Sequence, residues 1–337
     1  MKSSKYGFLW ILIPVLFLVI WGNISIGAIK IPQKELFLTF ISESNVKSSW
    51  IYIIQQYRVP KMLVSILVGV SLSVSGLLMQ TLFRNPMAGP YVLGLSSGAG
   101  LGVALVLLGS SLLPIYLQEL FQSPYAVVIA SIIGSLLLLF SILLLARRVS
   151  NSMTLLIIGL MFGSFANSMV AVLTYYSSAE ELKRFTFWSL GNLGNLSWVF
   201  ILIFGIVTFV GVVLSICSVK SLDALMLGER YASSMGISIK KARIIIILAT
   251  GILAGVCTAF VGPIAFVGLA VPHISRLLFK VSNHKEMIVV SSLIGAILML
   301  FCDALTQFPG QSFILPINAI TSILGAPLVI GLLLKKR

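Results

Sequence analysis

Apolar runs, each close to the roughly 20 residues that a helix needs to cross a bilayer, recur along the whole chain and end on basic residues or Pro/Gly-rich turns. They fall at 6–29, 60–82, 91–113, 125–146, 153–175, 198–219, 244–261, 287–305 and 315–334, with a short one between 261 and about 271. Of 337 residues, 58% are hydrophobic and only 9% charged, which excludes an ordinary soluble domain. The runs do not alternate with a period of two, which excludes a barrel of strands. Inside lipid a helix satisfies its own backbone hydrogen bonds, so the expected fold is all-α: a polytopic transmembrane bundle of about ten helices. It forms a single domain over 1–337.

The net charge of +14 reads as topology rather than nucleic-acid binding, because the charges sit at the ends of the runs. Lys and Arg collect in cytoplasmic loops. With the N-terminus inside, only Lys30, Lys34, Lys47, Arg58, Lys61, Lys183 and Arg184 of the 23 basic residues fall outside. Both termini are therefore predicted to be cytoplasmic, in a multi-pass protein of the cytoplasmic (inner) membrane. The first run lacks a small-residue cleavage site and reads as a retained span. Cys217, Cys257 and Cys302 lie far apart in apolar runs and form no metal or disulfide pattern.

Small residues recur at four-residue spacing: Ser65, Gly69 and Ser73; Gly94, Gly98 and Gly102; Gly159 and Gly163; Gly251 and Gly255. That spacing lets helix backbones approach closely. Asn85-Pro86-Met87-Ala88 with Gly94 parallels Gly262-Pro263-Ile264-Ala265 with Gly268, at the ends of spans running in opposite directions. This pattern suits an inverted repeat.

No Gly is followed by Lys anywhere, so a GxxxxGK[ST] phosphate loop is absent. Nucleotide-driven work must come from a partner. The polar stretch 220–243, with Leu222, Leu225, Met226, Ala232 and Met235 at amphipathic spacing, is the cytoplasmic feature best suited to receive one.

Three segments together identify a family. Gly76-Leu77-Leu78-Met79-Gln80 is followed by Arg84-Asn85-Pro86-Met87-Ala88-Gly89-Pro90 and by Val92-Leu93-Gly94-Leu95-Ser96-Ser97-Gly98-Ala99. Asp223-Ala224-Leu225-Met226-Leu227-Gly228-Glu229 continues to Ala232, Met235 and Gly236. Gly262-Pro263-Ile264-Ala265-Phe266-Val267-Gly268-Leu269-Ala270-Val271-Pro272-His273 leads to Arg276. The chain resembles the FecCD or BtuC-like permeases, the membrane subunits of ABC importers for iron chelates and cobalamin.

The resemblance implies a permease without its own ATPase site, cofactor or metal, moving a ferric siderophore, haem or cobalamin. It implies a homodimer, or a heterodimer with a close homologue, two ATP-binding subunits inside and a solute-binding protein outside. Asp223, Leu225, Leu227, Gly228, Glu229, Ala232, Met235 and Gly236 would couple to the ATPase, on two short helices. Arg58 and Lys61, in Arg58-Val59-Pro60-Lys61, would dock the binding protein. Gly159, Gly163 and Asn167 would line the path, and Asn85, Met87, Asn151 and Ser152 would form the inner gate. Gln307 stands where the family carries a second external Arg, and Asn318 where it commonly carries Gly.

Two other classes are open to the same residues. Asp303, inside an apolar run, could carry a proton in an ion-coupled secondary transporter, although the family position favours packing or gating. His273 with Asp303 could serve an intramembrane enzyme, but the two are expected near opposite faces.

Overall fold

The computed structural model describes residues 9–41, 46–109, 123–149, 152–194, 196–279, 283–307 and 314–334, with isolated positions at 7, 114, 118, 121 and 281. Its helices are α1 (Leu9–Ser25), α2 (Gln33–Ile41), α3 (Ser48–Ile53), α4 (Val59–Leu82), α5 (Leu95–Leu107), α6 (Pro124–Ala146), α7 (Ser152–Tyr176) and α8 (Ala179–Ser189). They continue as α9 (Trp198–Cys217), α10 (Val219–Leu227), α11 (Glu229–Ser234), α12 (Ile239–Val261), α13 (Val267–Phe279), α14 (His284–Thr306) and α15 (Ile317–Leu334). A π-turn at Ile54–Arg58 joins α3 to α4, making Ser48–Leu82 one continuous helical stretch. Among the described residues there is no strand, only a single bridge between Gln307 and Ile314.

Among the described residues, six helices are long and apolar enough to cross a membrane: Ser48–Leu82, α6, α7, α9, α12 and α14. Four shorter apolar helices, α1, α5, α13 and α15, complete the all-α bundle. Helix α4 is its axis, with every residue from Ser71 to Leu82 buried. It packs against α9, α12, α13 and α14. Helix α7 lies at the other extreme, with only Ser152, Leu155, Gly159, Gly163 and Ala166 buried.

The small residues are packing sites. A Cβ on Gly76 would overlap the carbonyl oxygen of Gly268, and one on Gly69 would overlap that of Gly295. Helices α5 and α6 meet in the same way through Gly98, Gly102 and Gly134. Without a hydrophobic force between helices in lipid, such close approach supplies the dispersion contacts that hold them.

The internal likeness is visible in the backbone. Helix α4, of 24 residues, ends in a turn with positive φ at Arg84 and Gly94, and the 13-residue α5 follows. Helix α12, of 23 residues, ends in a turn with positive φ at Gly262 and Phe266, and the 13-residue α13 follows. Two 23-residue helices, α6 and α14, come next. The turns touch: Thr258 Oγ1 and Ile264 N each donate to Tyr91 Oη at 3.4 Å.

Several boundaries differ from the sequence expectation. The span at 91–113 is not one helix: Pro90–Leu93 is a 3-10 turn, and Gly94 at φ 76° redirects the chain into α5. Only glycine takes that left-handed conformation without steric cost. Helix α14 starts at His284 rather than 287, because the Asn283 side chain accepts from Glu286 N at 2.8 Å and donates to Glu286 Oε1 at 2.9 Å. The segment after Tyr176 holds an unforeseen helix, α8, opened by the reciprocal Ser178–Glu181 capping box.

Candidate functional site

Helix α10 and the six-residue α11 follow from a sequence that is apolar on one side and carries a glycine between them. Gly228 takes φ 121°, which a side chain would strain, and the chain turns there from one helix into the next. Leu222, Ala224, Leu225 and Ala232 enter the core with Met79, Leu82, Phe83 and Ile246. Met226, Leu227, Tyr231 and Met235 stay exposed. Of the predicted coupling residues, Leu225 and Ala232 therefore anchor the segment, while Leu227 and Met235 belong to its outer face. Gly236 ends the segment at φ 80°.

Both acids of the segment turn toward the body. Glu229 Oε1 accepts from Ser152 Oγ at 2.6 Å and from Arg243 Nη2 at 3.2 Å. Arg243, one of the largest fully buried side chains, also donates to Val149 O at 2.7 Å and to Ser152 Oγ at 3.3 Å. Asp223 Oδ1 accepts from His284 N at 3.1 Å and lies 2.6 Å from His284 Nδ1. On the other side of the ring, His284 Nε2 lies 3.0 Å from Thr81 Oγ1.

Of the residues predicted to form the inner gate, Asn85, Met87 and Ser152 lie at the end of the molecule that carries α10 and α11. Asn85 Oδ1 accepts from Met87 N at 2.9 Å, fixing the turn after α4, and Met87 is exposed. Arg84, Ser152, Leu227, Gly228, Glu229 and Tyr231 line one hollow of about 670 Å³. Ser152 borders this hollow but is largely buried, its hydroxyl taken by Glu229. Asn151 lies outside the described residues.

The path-lining and docking candidates sit at helix crossings and helix ends. Gly159 and Gly163 are buried where α7 crosses the Val92–Gly94 turn; a Cβ on Gly159 would stand 2.9 Å from Leu93 Cα. They are crossing points, and the open face of α7 carries Leu160, Met161, Phe165, Asn167 and Met169 instead. Arg58 is buried and caps α1, donating to Ile24 O at 2.7 Å, Ser25 O at 3.1 Å and Ile29 O at 2.5 Å. Lys61 Nζ lies 2.8 Å from Asp303 Oδ1. Neither cation projects as a free surface charge.

Asp303 is held besides by Asn23 Nδ2, which donates to its Oδ2 at 3.0 Å. This cluster and Gln307 border a cavity of about 510 Å³. Asn318 contributes its amide oxygen to Ala265 N at 3.0 Å, so it ties α15 to the turn before α13. His273 and Asp303 sit on separate helices, α13 and α14.

Sequence reasoning missed Arg243, His284 and Thr81. Arg243 carried a signal: a cation inside the amphipathic start of a long apolar helix needs a buried partner. His284 followed an Asn-x-x-Glu helix start at 283–286.

The sequence profile described as the FecCD transport family matches residues 15–335. The chain is 33% identical to the hemin transport system permease protein HmuU of Yersinia pestis, over 98% of this chain and 95% of that protein. It is 36% identical to the vitamin B12 import system permease protein BtuC of Citrobacter koseri, over 84% of this chain and 83% of that one. A solved inward-facing structure of a metal-chelate type ABC transporter superposes with a TM-score of 0.84 at 26% identity, covering 98% of this chain and 99% of that chain.

Proposed function

The chain belongs to the FecCD transport family and is the permease subunit of an ABC importer; we propose that a separate ATPase subunit drives it and that its cargo is a metal chelate. Haem, a ferric siderophore and cobalamin are the candidate cargoes, the first and last by likeness to the hemin and vitamin B12 permeases. The protein spans the inner membrane several times, with α10, α11 and both termini on the cytoplasmic side.

The observation that carries the ATPase reading is the α10–α11 hairpin. It is anchored in the core through Leu222, Leu225 and Ala232, yet presents Met226, Leu227, Tyr231 and Met235 outward. A rigid apolar ridge at a water-facing end fits a groove on a protein partner. Two copies of the chain, or the chain and a close homologue, enclose the path, with the sparsely buried α7 and its Asn167 facing it. A binding protein delivers the chelate to the opposite end, beside the Lys61–Asp303 cavity. The residues of this chain make and break no bond in the cargo; they supply shape and gates.

The Asp303 cluster bears on the ion-coupled alternative. Asp303 is already engaged on both oxygens, by Lys61 Nζ at 2.8 Å and by Asn23 Nδ2 at 3.0 Å, which fits a structural tie between α4, α1 and α14. Reconstitution in liposomes with the ATPase and binding protein tests the reading. ATP-dependent uptake of haem, cobalamin or a ferric siderophore is expected. Uptake that needs no ATPase, or that an uncoupler abolishes at constant ATP, overturns it.

A further inference from the structure

We propose that the two carboxylates of the α10–α11 segment are latches, Glu229 holding the start of α7 and Asp223 the end of α4, so that displacement of the segment moves both. The proposal rests on the reading of α10–α11 as the ATPase-facing segment. Glu229 is one latch. It bonds to Ser152, the first residue of α7, while Arg243 clamps both and reaches back to Val149 in the connection before α7. Asp223 is the other. Through His284 it reaches Thr81, in the last turn of α4. Thr81 O accepts from Arg84 N at 3.2 Å, and Gln80 O accepts from Asn85 N at 3.1 Å, so that turn sets the corner leading to Asn85 and Met87.

The two latches lie on either side of Gly228, which separates α10 from α11. A push on the exposed Leu227–Tyr231 ridge thus has two polar connections into the body, one for each side of the gate. Apolar contacts slide with little directional preference, whereas charged hydrogen bonds of 2.6 Å hold their partners in register. Glu229, Asp223, Arg243, His284 and Thr81 are positioning residues in this scheme: they transmit movement to the turns that close the path.

The test is a pair of double-mutant cycles in the full complex with its ATPase and binding protein, reading cargo molecules imported per ATP hydrolysed. A variant that simply folds less well lowers both quantities together and leaves that ratio unchanged. Glu229→Ala and Ser152→Ala should each lower the ratio at least tenfold, and the double variant should fall no further than the worse single one. Asp223→Ala and Thr81→Val should behave likewise as a pair. Within each pair, Glu229→Asp and Asp223→Glu should recover part of the loss.

Ratios within twofold of the parent, or losses that multiply in the double variants, overturn the latches. So does loss of ATPase association in Glu229→Ala or Asp223→Ala, which would make these acids docking contacts. Failure of the underlying reading looks different: Leu227→Arg with Tyr231→Asp would then leave ATPase association intact.

Discussion

Lys61 Nζ and Asp303 Oδ1 stand 2.8 Å apart, with the Asp303 side chain only 1% exposed. Removing one partner leaves an uncompensated charge among apolar helices, at a cost of about 3–5 kcal/mol. Asp303→Asn is expected to lower the thermal stability of the purified permease sharply, and Lys61→Met to do the same. The double variant Lys61→Met/Asp303→Leu should recover much of the loss, because no charge is then stranded. Thermal unfolding of the three proteins in one detergent checks this. If the double variant also keeps ATP-driven uptake, Asp303 carries no proton for transport.

Gly76 and Gly268 set the distance between α4 and α13. The atom that a Cβ would strike is a backbone oxygen, which cannot swing aside. Gly76→Ala should therefore cost roughly 1–3 kcal/mol by overpacking. Gly205 and Gly331 have nothing within 4 Å of the same position. Alanine there should be neutral or stabilising by up to about 1 kcal/mol, through helix propensity. Size-exclusion profiles after graded heating would separate the two classes.

Arg58 binds three carbonyl oxygens at and beyond the end of α1. These acceptors lose their partner in Arg58→Ala, and each buried acceptor left unsatisfied costs about 1–3 kcal/mol. The expected outcome is lower thermal stability, with the affinity for the solute-binding protein changed less than threefold in the folded fraction. A large loss of affinity at unchanged stability would return Arg58 to a docking role.

The exposed ridge of the coupling segment should be sensitive to charge. Leu227→Arg together with Tyr231→Asp is expected to abolish co-purification of the ATPase while membrane insertion continues, since both side chains point away from the core. Leu225→Arg should instead reduce the amount of folded protein, because Leu225 is only 2% exposed within the core. Pull-down yields normalised to inserted permease distinguish the two.

Apolar runs made the helical class and the order of spans legible in the sequence, because lipid leaves a chain few alternatives. The amphipathic spacing of Leu222, Leu225 and Ala232 also marked α10 and α11. Directions of individual side chains were not legible. Periodicity places Gly159 and Gly163 on one face of α7 but does not say whether that face meets a neighbour or the path. A basic residue at the start of a span reads as a surface anchor, yet Arg58 turns inward because α1 ends beside it with open carbonyls. His284 stands in a polar stretch between two apolar runs. Its burial depends on Thr81 and Asp223, which are remote in sequence. The capping box at Ser178 and the Asn283 N-cap were readable signals that place α8 and the start of α14.

Helix α7 touches the rest of the protein mainly around Gly159 and Gly163, between its tethered Ser152 end and its bare Tyr176 end. A stiff rod borne on such a narrow fulcrum magnifies motion. With about 1.5 Å of rise per residue, a sideways nudge of about 1 Å at Ser152 becomes roughly 1.7 Å at Tyr176. The pair of glycines thus gives the Tyr176 end of the helix a mechanical gain over its Ser152 end.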